Sequence, residues 1–295
     1  MMNINKKILL AGILTAFLSA GMASAQTQNF QKRYELLTAQ VGRSGVGVET
    51  LLEKWEKADS TDRDMLLAKF DYYYTKSQSE IVVVKPDKKY LGQDPLLSLK
   101  DSTGNKVYYF REINYDDAIF SQALNSAERL ISLYPDELDY RFLKANALIS
   151  YEKDSPDMAY AYLSELISVN SSRTKPWNIE GKKMDEGFFP DAMQEYCRTF
   201  YSVGSGSSMK VFFALSERLS KLYPENMCFL SNIATYYMVA EEKPKLALKY
   251  YNKVLKKVKD DEVALRNSYV AARKCGNEKL MEKYRGLLVK YGYVK

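Results

Sequence analysis

The chain has 295 residues, of which 46% are hydrophobic and 27% are charged, and its formal net charge is +6. This length and composition are typical of a globular protein with one or two domains and a substantial core. The positive excess is too small to indicate a nucleic-acid-binding protein. The sequence contains no histidine and three cysteines, which excludes Ser-His-Asp and Cys-His nucleophiles and histidine-ligated zinc sites. We therefore expect no metal and no cofactor.

Residues 1–25 have the pattern of a secretory signal peptide. Two lysines precede the apolar run 8–17, and Ala-Ser-Ala at 23–25 is a small-x-small cleavage site. Because Met22 stands near the position where a lipidated cysteine would be needed, we expect no lipoprotein anchor. No later run approaches about 18 apolar residues, so no insertion into a membrane is expected. The sequence thus predicts a periplasmic or secreted protein.

Three helices are predicted at the start of the mature chain. Residues 30–41 and 49–58 have helical patterns on either side of GRSGVG, a turn that lacks the preceding strand and the Gly-Lys-Ser/Thr ending of a phosphate loop. We predict Ser60 as the N-cap of the third helix. This helix carries three consecutive tyrosines, 72–74, which span about 200° of its surface. We expect two of these rings to pack and one to lie at the surface; the alternative is a stacking platform for a sugar or a peptide.

Three β-like runs then interrupt the helical pattern, at 81–84, 96–99 and 106–110. The last two flank KDSTGN, a turn signal, and so predict a hairpin. We therefore divide the mature chain into residues 26–115, made of helices and a small β-hairpin, and residues 116–295, a helical array.

A repeated phrase marks the array. ERLISLYPDE at 128–137 and ERLSKLYPEN at 217–226 differ little, and their prolines lie 89 positions apart. In each phrase, apolar residues at steps of three and four predict an amphipathic helix that ends before the proline. Another helical pattern follows each proline. The phrase therefore marks the corner between one helical hairpin and the next.

The spacing of the hairpins reveals an insertion. The anchor positions of the second helices are Ala123, Ala159, Phe212, Ala247 and Met281. Their steps are 36, 53, 35 and 34 residues. The long step predicts an inserted loop at 170–187, a segment with turn-forming residues and no periodicity. A loop of this length in a compact array is either functional or mobile.

The clearest hairpin is FLSNIATYYMVAEEKPKLALKYYNKVLKKV, residues 229–258. It resembles the tetratricopeptide repeat, a 34-residue helix-turn-helix unit. The residues at motif positions are Leu230, Ile233, Ala234 and Tyr237 in the first helix and Ala247, Tyr251 and Val254 in the second. The motif's Trp and Gly are missing, and Lys259 replaces its closing proline. The resemblance implies a mainly α fold, a tetratricopeptide-like α-solenoid of helical hairpins with an N-terminal helical segment and a small β-hairpin insertion.

The same resemblance implies a function. Tetratricopeptide arrays are mostly scaffolds that bind a protein or peptide in a groove lined by their first helices, so we expect a non-catalytic interaction protein. The groove residues would be Ser231, Thr235, Met238, Arg266 and Val270. The Lys, Arg and Asn set of the family's carboxylate clamp is not matched. The overall layout also resembles secreted repeat proteins of Bacteroidetes-type bacteria, which implies no particular activity.

Two alternatives stay open. The first is a glycan-binding accessory protein that uses exposed tyrosines and Trp177. The second is a carboxylate-dependent hydrolase, because acid-base catalysis needs only two acids at a set distance. The adjacent acids of this sequence fall at predicted helix ends and turns, where capping and helix-dipole effects explain them. We therefore expect no catalytic residues.

The C-terminal end is basic. From residue 241 onward there are 15 Lys/Arg and 7 Asp/Glu, a net charge of +8, which leaves −4 on the rest of the mature chain. Lys245, Lys249, Lys253 and Lys257 recur every four residues, opposite the apolar face of their helix. Like charges at this spacing repel by roughly 0.2–0.5 kcal/mol per pair, so the helix itself gains nothing from them. We predict that Lys249, Lys253 and Lys257 meet an acidic partner; the alternative is a solvated outer face.

The cysteines give no site. Cys197, Cys228 and Cys275 are an odd number at wide spacings and imply no disulfide framework. We predict Cys197 and Cys228 as small residues packed between helices.

Overall fold

The computed structural model describes the backbone of residues 25–294 and the side chains of residues 29–294. Residues 1–24 of the predicted signal peptide lie outside the described residues. Two units are defined, each described below by itself. The first comprises residues 25–88, 94–153 and 161–185, and the second comprises residues 89–93, 154–160 and 186–294.

The first unit begins with three helices, α1 (Ala25–Val41), α2 (Val48–Ala58) and α3 (Arg63–Lys76). Trp55 is the largest side chain of their shared core, where it packs with Leu52, Met65 and Leu66. GRSGVG is a turn between α1 and α2. A side chain at Gly45 would place its Cβ 2.2 Å from the carbonyl oxygen of Val41, so only glycine fits there.

The predicted cap of α3 is wrong. Asp62, not Ser60, is the N-cap, and its Oδ1 accepts hydrogen bonds from the backbone N–H groups of Asp64 (2.8 Å) and Met65 (3.0 Å). A carboxylate at this position satisfies two free N–H groups and also places a negative charge at the positive end of the helix. The helix therefore starts at Arg63, directly after its cap.

The predicted hairpin is confirmed, and it belongs to a three-stranded antiparallel sheet. The strands are β1 (Gln78–Lys85), β2 (Leu97–Lys100) and β3 (Lys106–Tyr115), in the order β1-β3-β2. In the turn between β2 and β3, the Asp101 carboxylate accepts hydrogen bonds from the N–H groups of Thr103 and Asn105. Among the described residues, the outer strands β1 and β2 each pair only with β3.

Three further helices follow: α4 (Asp117–Leu133), α5 (Leu138–Glu152) and α6 (Asp157–Ser172). Of α6, residues 161–172 belong to the first unit. The corner between α4 and α5 contains Pro135, as the repeated phrase predicts. Phe120, Ala123 and Ala127 of α4 pack with Phe70 of α3 and Ala147 of α5. After α6 follow two short antiparallel strands, β4 (Asn178–Ile179) and β5 (Lys182–Lys183).

The second unit is a stack of helices. They are α7 (Phe188–Val203), α8 (Gly206–Leu222), α9 (Met227–Val239), α10 (Pro244–Lys257), α11 (Glu262–Lys274) and α12 (Glu278–Lys290). Each helix packs on the next, and α9 also packs on α7 and α11. This pattern is that of stacked helical hairpins, in which each repeat contacts its neighbours. The predicted tetratricopeptide-like α-solenoid with a small β-hairpin insertion is confirmed.

Small residues occupy the helix crossings of the best repeat. Ala234 of α9, Ala247 of α10 and Ala264 of α11 are fully buried. The separation of two packed helices depends on the side chains at their contact, so alanines allow close approach. Tyr251 and Val254, at motif positions of the second helix, are buried in the same cluster.

A polar network joins α7, α8 and α9. The side-chain amides of Gln194 and Asn232 exchange two hydrogen bonds, with N–O distances of 2.8 and 3.2 Å. Asn232 Nδ2 also donates to Ser216 Oγ at 3.1 Å, and the Ser216 hydroxyl donates to Cys197 Sγ at 3.6 Å. Gln194, Asn232 and Ser216 each form a hydrogen bond with another member of the network. The network therefore selects one alignment of the three helices.

Candidate functional site

The predicted groove residues of α9 are largely engaged within the fold. Met238 is only 6% exposed and belongs to the core of the second unit. Ser231 and Thr235 are half-buried. The Thr235 hydroxyl lies 2.9 Å from the backbone oxygen of Ser231 and 3.0 Å from the Tyr251 hydroxyl. These positions offer little free hydrogen-bonding capacity to a partner.

The groove residues of α11 lie on the next first helix of the stack. Arg266 is exposed, but its guanidinium binds Glu262 Oε1 at 2.7 Å and the backbone oxygen of Tyr293 at 2.9 Å. Val270 is half-buried against the core. The five predicted groove residues are therefore on neighbouring first helices, and only Arg266 among them has an exposed side chain.

The lysine stripe, which we define as Lys245, Lys249, Lys253 and Lys257, lies along the exposed side of α10. All four side chains are exposed. The opposite side of the helix is the buried face formed by Ala247, Leu248, Tyr251 and Val254. The sequence-based placement of the four lysines on one face is thus correct.

The four lysines differ in their surroundings. The Lys257 ammonium binds both carboxylate oxygens of Glu225, at 2.8 and 3.0 Å. The Lys253 ammonium lies 4.8 Å from the centre of the Tyr250 ring, a cation–π arrangement. Lys245 and Lys249 form no ion pair with any residue in the described part of the chain. These two ammonium groups therefore keep their charge uncompensated.

A shallow hollow of about 750 Å³ opens beside these two lysines. Its lining includes Lys245, Lys249 and Asn252 of α10, together with Cys275, Gly276 and Glu278 at the junction of α11 and α12. The buried Tyr284 donates a hydrogen bond from its hydroxyl to Asn252 Oδ1 (2.9 Å), which orients that amide. The residues that line the hollow carry two ammonium groups, those of Lys245 and Lys249, and one carboxylate, that of Glu278.

Trp177 does not offer a stacking surface. It is only 5% exposed, and its Nε1–H donates to Asn170 Oδ1 at 2.8 Å. The Arg173 guanidinium lies 3.6 Å from the ring centre. Both the edge and one face of the indole are therefore covered.

The three consecutive tyrosines of α3 are not a platform either. Tyr72 is buried, and Tyr73 and Tyr74 are half-buried. Tyr74 stacks on Phe70, with ring centres 5.5 Å apart. None of the three rings is fully exposed, so packing within the fold explains them.

The segment 170–187 is held against the start of α5. The backbone N–H of Asn178 donates to the Asp136 oxygen at 2.9 Å. The two carboxylate oxygens of Glu137 accept from Asn178 Nδ2 and from the Gly181 N–H, both at 3.1 Å. Arg173 binds the Asp136 carboxylate at 2.8 Å. This insertion therefore has its own β-turn structure and polar anchors.

Glu137 and Asp139 are two carboxylates at the start of α5 that influence each other electrostatically. Burial, together with the negative charge of Glu137, raises the pKa of Asp139 to about 6. The backbone N–H groups of Glu180 and Tyr140 hydrogen-bond to Asp139 and act in the opposite direction. Since Glu137 anchors the inserted hairpin, its position has a structural explanation. Asp139 Oδ1 is buried without a hydrogen-bond partner among the described residues. Within residues 25–294, no group of three or more Cys, Asp or Glu side chains could hold a metal ion.

The prediction that Cys197 and Cys228 pack between helices is correct for Cys197 only. Cys197 is buried between helices, and burial raises the pKa of its thiol to about 12, so it stays protonated. Cys228 is exposed in the first turn of α9, and its prediction as a packed residue is wrong. The N-cap Asn226 accepts a hydrogen bond from the Cys228 N–H, which fixes the start of the helix.

Sequence reasoning missed an exposed apolar surface on the sheet. Val82 and Val84 of β1 and Leu97 and Leu99 of β2 are about half exposed or more. The available signal was the unbroken run Ile-Val-Val-Val at 81–84, which does not alternate as a half-buried strand does.

Comparisons with known proteins add one similarity. No protein-family model matches the chain, and no curated protein matches it in sequence. Among solved structures, the chain is similar to the crystal structure of PilW, described as a widely conserved type IV pilus biogenesis factor, with 12% identity and a TM-score of 0.37. The match covers 92% of this chain and 97% of the other. A likeness this distant carries no argument about partners or activity. Among the described residues, no helix combines the length and apolar character needed to cross a bilayer.

Proposed function

We propose that this chain is an exported, non-catalytic scaffold that binds an acidic segment of a protein or peptide at the lysine stripe of α10. The observation that carries the proposal is the pair Lys245 and Lys249. Both are exposed, neither has a carboxylate partner among residues 25–294, and both line the hollow between α10 and the junction of α11 and α12.

The energetics of the helix support this assignment. Like charges four residues apart destabilise a helix by roughly 0.2–0.5 kcal/mol per pair, and only Lys257 is compensated by an ion pair. A carboxylate of a partner would relieve this repulsion. The groove side gives weaker support for a site, since Met238 is buried and the polar groups of Thr235 and Arg266 already have partners.

Export is supported by the signal-peptide pattern of residues 1–25 and is tested by mass. In a bacterial host with a functional secretion pathway, we expect the exported chain to begin at Gln26 and to carry no lipid. The intact mass of the purified protein gives both results in one measurement. A mass that retains residues 1–25, or that includes an acyl chain, contradicts this part of the proposal.

The partner site is tested by charge reversal. We expect Lys245→Glu/Lys249→Glu/Lys253→Glu to abolish recovery of the partner after crosslinking in the periplasm. It should also abolish binding of a polyglutamate peptide, measured by fluorescence anisotropy. Binding by the wild-type chain should weaken steeply as salt increases, because exposed charges are screened over about 10 Å at 0.1 M. Lys257 is left unchanged in this variant so that its ion pair with Glu225 stays intact.

A matched control carries the same charge change at other exposed lysines, Lys54→Glu/Lys57→Glu/Lys210→Glu. It should bind like the wild-type chain. Equal losses in both variants would indicate an effect of net charge alone. Binding that survives the stripe variant and high salt would return attention to the groove residues Ser231, Thr235 and Val270.

A further inference from the structure

The hollow beside α10 is lined by a neutral hydrogen-bonding side chain as well as by charged ones. Lys245, Lys249 and Asn252 all line it. They stand four and three positions apart along α10, and residues at such steps lie on one face of a helix. The volume of about 750 Å³ falls within the usual range of ligand pockets, about 300–1,000 Å³. The hollow is therefore large enough to receive part of a bound chain.

The side-chain amide of Asn252 is held in one orientation. Tyr284, which is 1% exposed, donates its hydroxyl to Asn252 Oδ1 at 2.9 Å. The acceptor end of the amide is thus engaged by the core of the second unit. The Nδ2 group carries two N–H donors and has no acceptor among the described residues. The end of Asn252 that is free to serve the hollow is therefore its donor end.

The charges of the lining favour a ligand with a single negative charge. Lys245 and Lys249 are positive and Glu278 is negative, so the formal charge of the lining is +1. Glu278 lies in the first turn of α12, where its charge stabilises the positive end of its own helix. A carboxylate carries one negative charge, whereas a phosphate group carries about −1.5 to −2 at pH 7. The balance of charge therefore favours a carboxylate over a phosphate.

We propose that the hollow binds one side-chain carboxylate of the acidic partner segment, and that Asn252 determines the specificity of this position. Lys245 and Lys249 supply the positive charge, and Asn252 Nδ2 donates to the same carboxylate. Tyr284 is a positioning residue, because it fixes the amide from behind. An oriented amide selects for geometry, since hydrogen bonds weaken steeply below about 120°. This inference rests on the proposed function and names the group that its site receives.

The first experiment changes only the donor end of Asn252. Asn252→Asp has the same shape and still accepts the Tyr284 hydroxyl, but it replaces the donor by a carboxylate oxygen. In fluorescence anisotropy with the polyglutamate peptide, we expect the affinity to fall at least about tenfold, because a hydrogen bond to a charged group is lost. Circular dichroism should be unchanged.

Lys256→Met is the matched control for this variant. Lys256 lies one turn further along α10, is exposed and does not line the hollow. The substitution changes the net charge by −1, as Asn252→Asp does. Its affinity for the peptide should change little. Equal losses in the two variants would show that net charge alone matters, which would overturn the role of Asn252.

A double-mutant cycle tests the positioning role of Tyr284. Tyr284→Phe keeps the Nδ2 donors and removes only the hydroxyl that orients them, so we expect a partial loss of affinity. In the Asn252→Asp background, Tyr284→Phe should cause no further loss of affinity, because the donor is already gone. Residues that act through each other are non-additive in this way. Additive losses would show that Tyr284 affects binding only through the stability of the fold.

The second experiment locates the ligand. Cys275 lines the hollow and is half-buried, whereas Cys228 is exposed and is not part of the lining. In a Cys228→Ser background, saturating polyglutamate should slow the alkylation of Cys275 by iodoacetamide, measured by intact mass. In a Cys275→Ser background, the alkylation rate of Cys228 should not change.

Failure of this inference is distinguishable from failure of the proposed function. If Lys245→Glu/Lys249→Glu/Lys253→Glu abolishes binding but Asn252→Asp does not, the inference is overturned and the lysine stripe remains the partner site. Cys275 that stays fully reactive in the complex has the same meaning. A wild-type chain that binds no polyglutamate at low salt refutes both proposals. Displacement of the peptide by inorganic phosphate but not by acetate, at constant ionic strength, would overturn the assignment to a carboxylate.

Discussion

Replacing Trp177 with alanine is expected to detach the segment 170–187 from the start of α5. The indole is buried, donates to Asn170 and lies under the Arg173 guanidinium. Truncation of a buried tryptophan to alanine costs about 3–5 kcal/mol of stability. We expect the first unit to lose this amount. The free energy of unfolding should fall by this amount in urea titrations, and trypsin should cleave after Lys182 and Lys183 much faster than in the wild type.

Two controls define this result. Trp177→Phe keeps an aromatic ring beneath Arg173 but removes the hydrogen bond to Asn170 and part of the buried ring volume. We therefore expect a loss smaller than that of Trp177→Ala. In the wild type, Arg173 should resist trypsin because it binds Asp136, whereas Lys182 and Lys183 are exposed. Should Trp177→Ala leave both stability and cleavage unchanged, the indole would not hold this segment, and the glycan-binding alternative would regain its basis.

The second large effect is expected at Asn232. Asn232→Ala removes the hydrogen-bond partner of the Gln194 side-chain amide and the Nδ2 group that donates to Ser216 Oγ. The side chains of Gln194 and Ser216 are both buried. An unsatisfied buried polar group costs about 1–3 kcal/mol. We therefore expect the second unit to lose about 2–4 kcal/mol, measured as the change in the free energy of unfolding.

A double-mutant cycle separates the network from simple loss of volume. Gln194→Ala combined with Asn232→Ala should cost less than the sum of the single changes, by about 0.5–3 kcal/mol, because residues in one hydrogen-bond network couple. Gln194→Leu/Asn232→Leu should be tolerated best, since replacing both partners by apolar groups of similar shape can be nearly neutral. Strictly additive costs would mean that the two amides do not act together.

Much of the fold was predictable because its signals are local. Apolar residues at steps of three and four, with proline at the corners, predicted the helical hairpins on either side of Pro135 and Pro224. KDSTGN predicted the hairpin of β2 and β3. The position of Asp62 as the cap of α3 was missed because Ser60 is an equally good cap by residue type, and only the backbone conformation decides between them.

The candidate site was predictable in part. The four-residue spacing of the lysines placed them on one face of α10, since helical geometry alone determines that. The ion pair of Lys257 was not predictable, because Glu225 lies 32 positions earlier in the chain. The hollow beside Lys245 and Lys249 was not predictable either, since it forms where the junction of α11 and α12 meets α10.

The sequence by itself determined the repeated helical hairpins, the small β-hairpin and the basic face of α10. Each of these features depends on residues that are close together in the chain. The tertiary structure alone decided which polar and aromatic groups are free. It buried Trp177 under Arg173, engaged Thr235 with Tyr251, and paired Lys257 with Glu225. Exposure depends on contacts between residues far apart in the chain, and these contacts have no signature in local spacing.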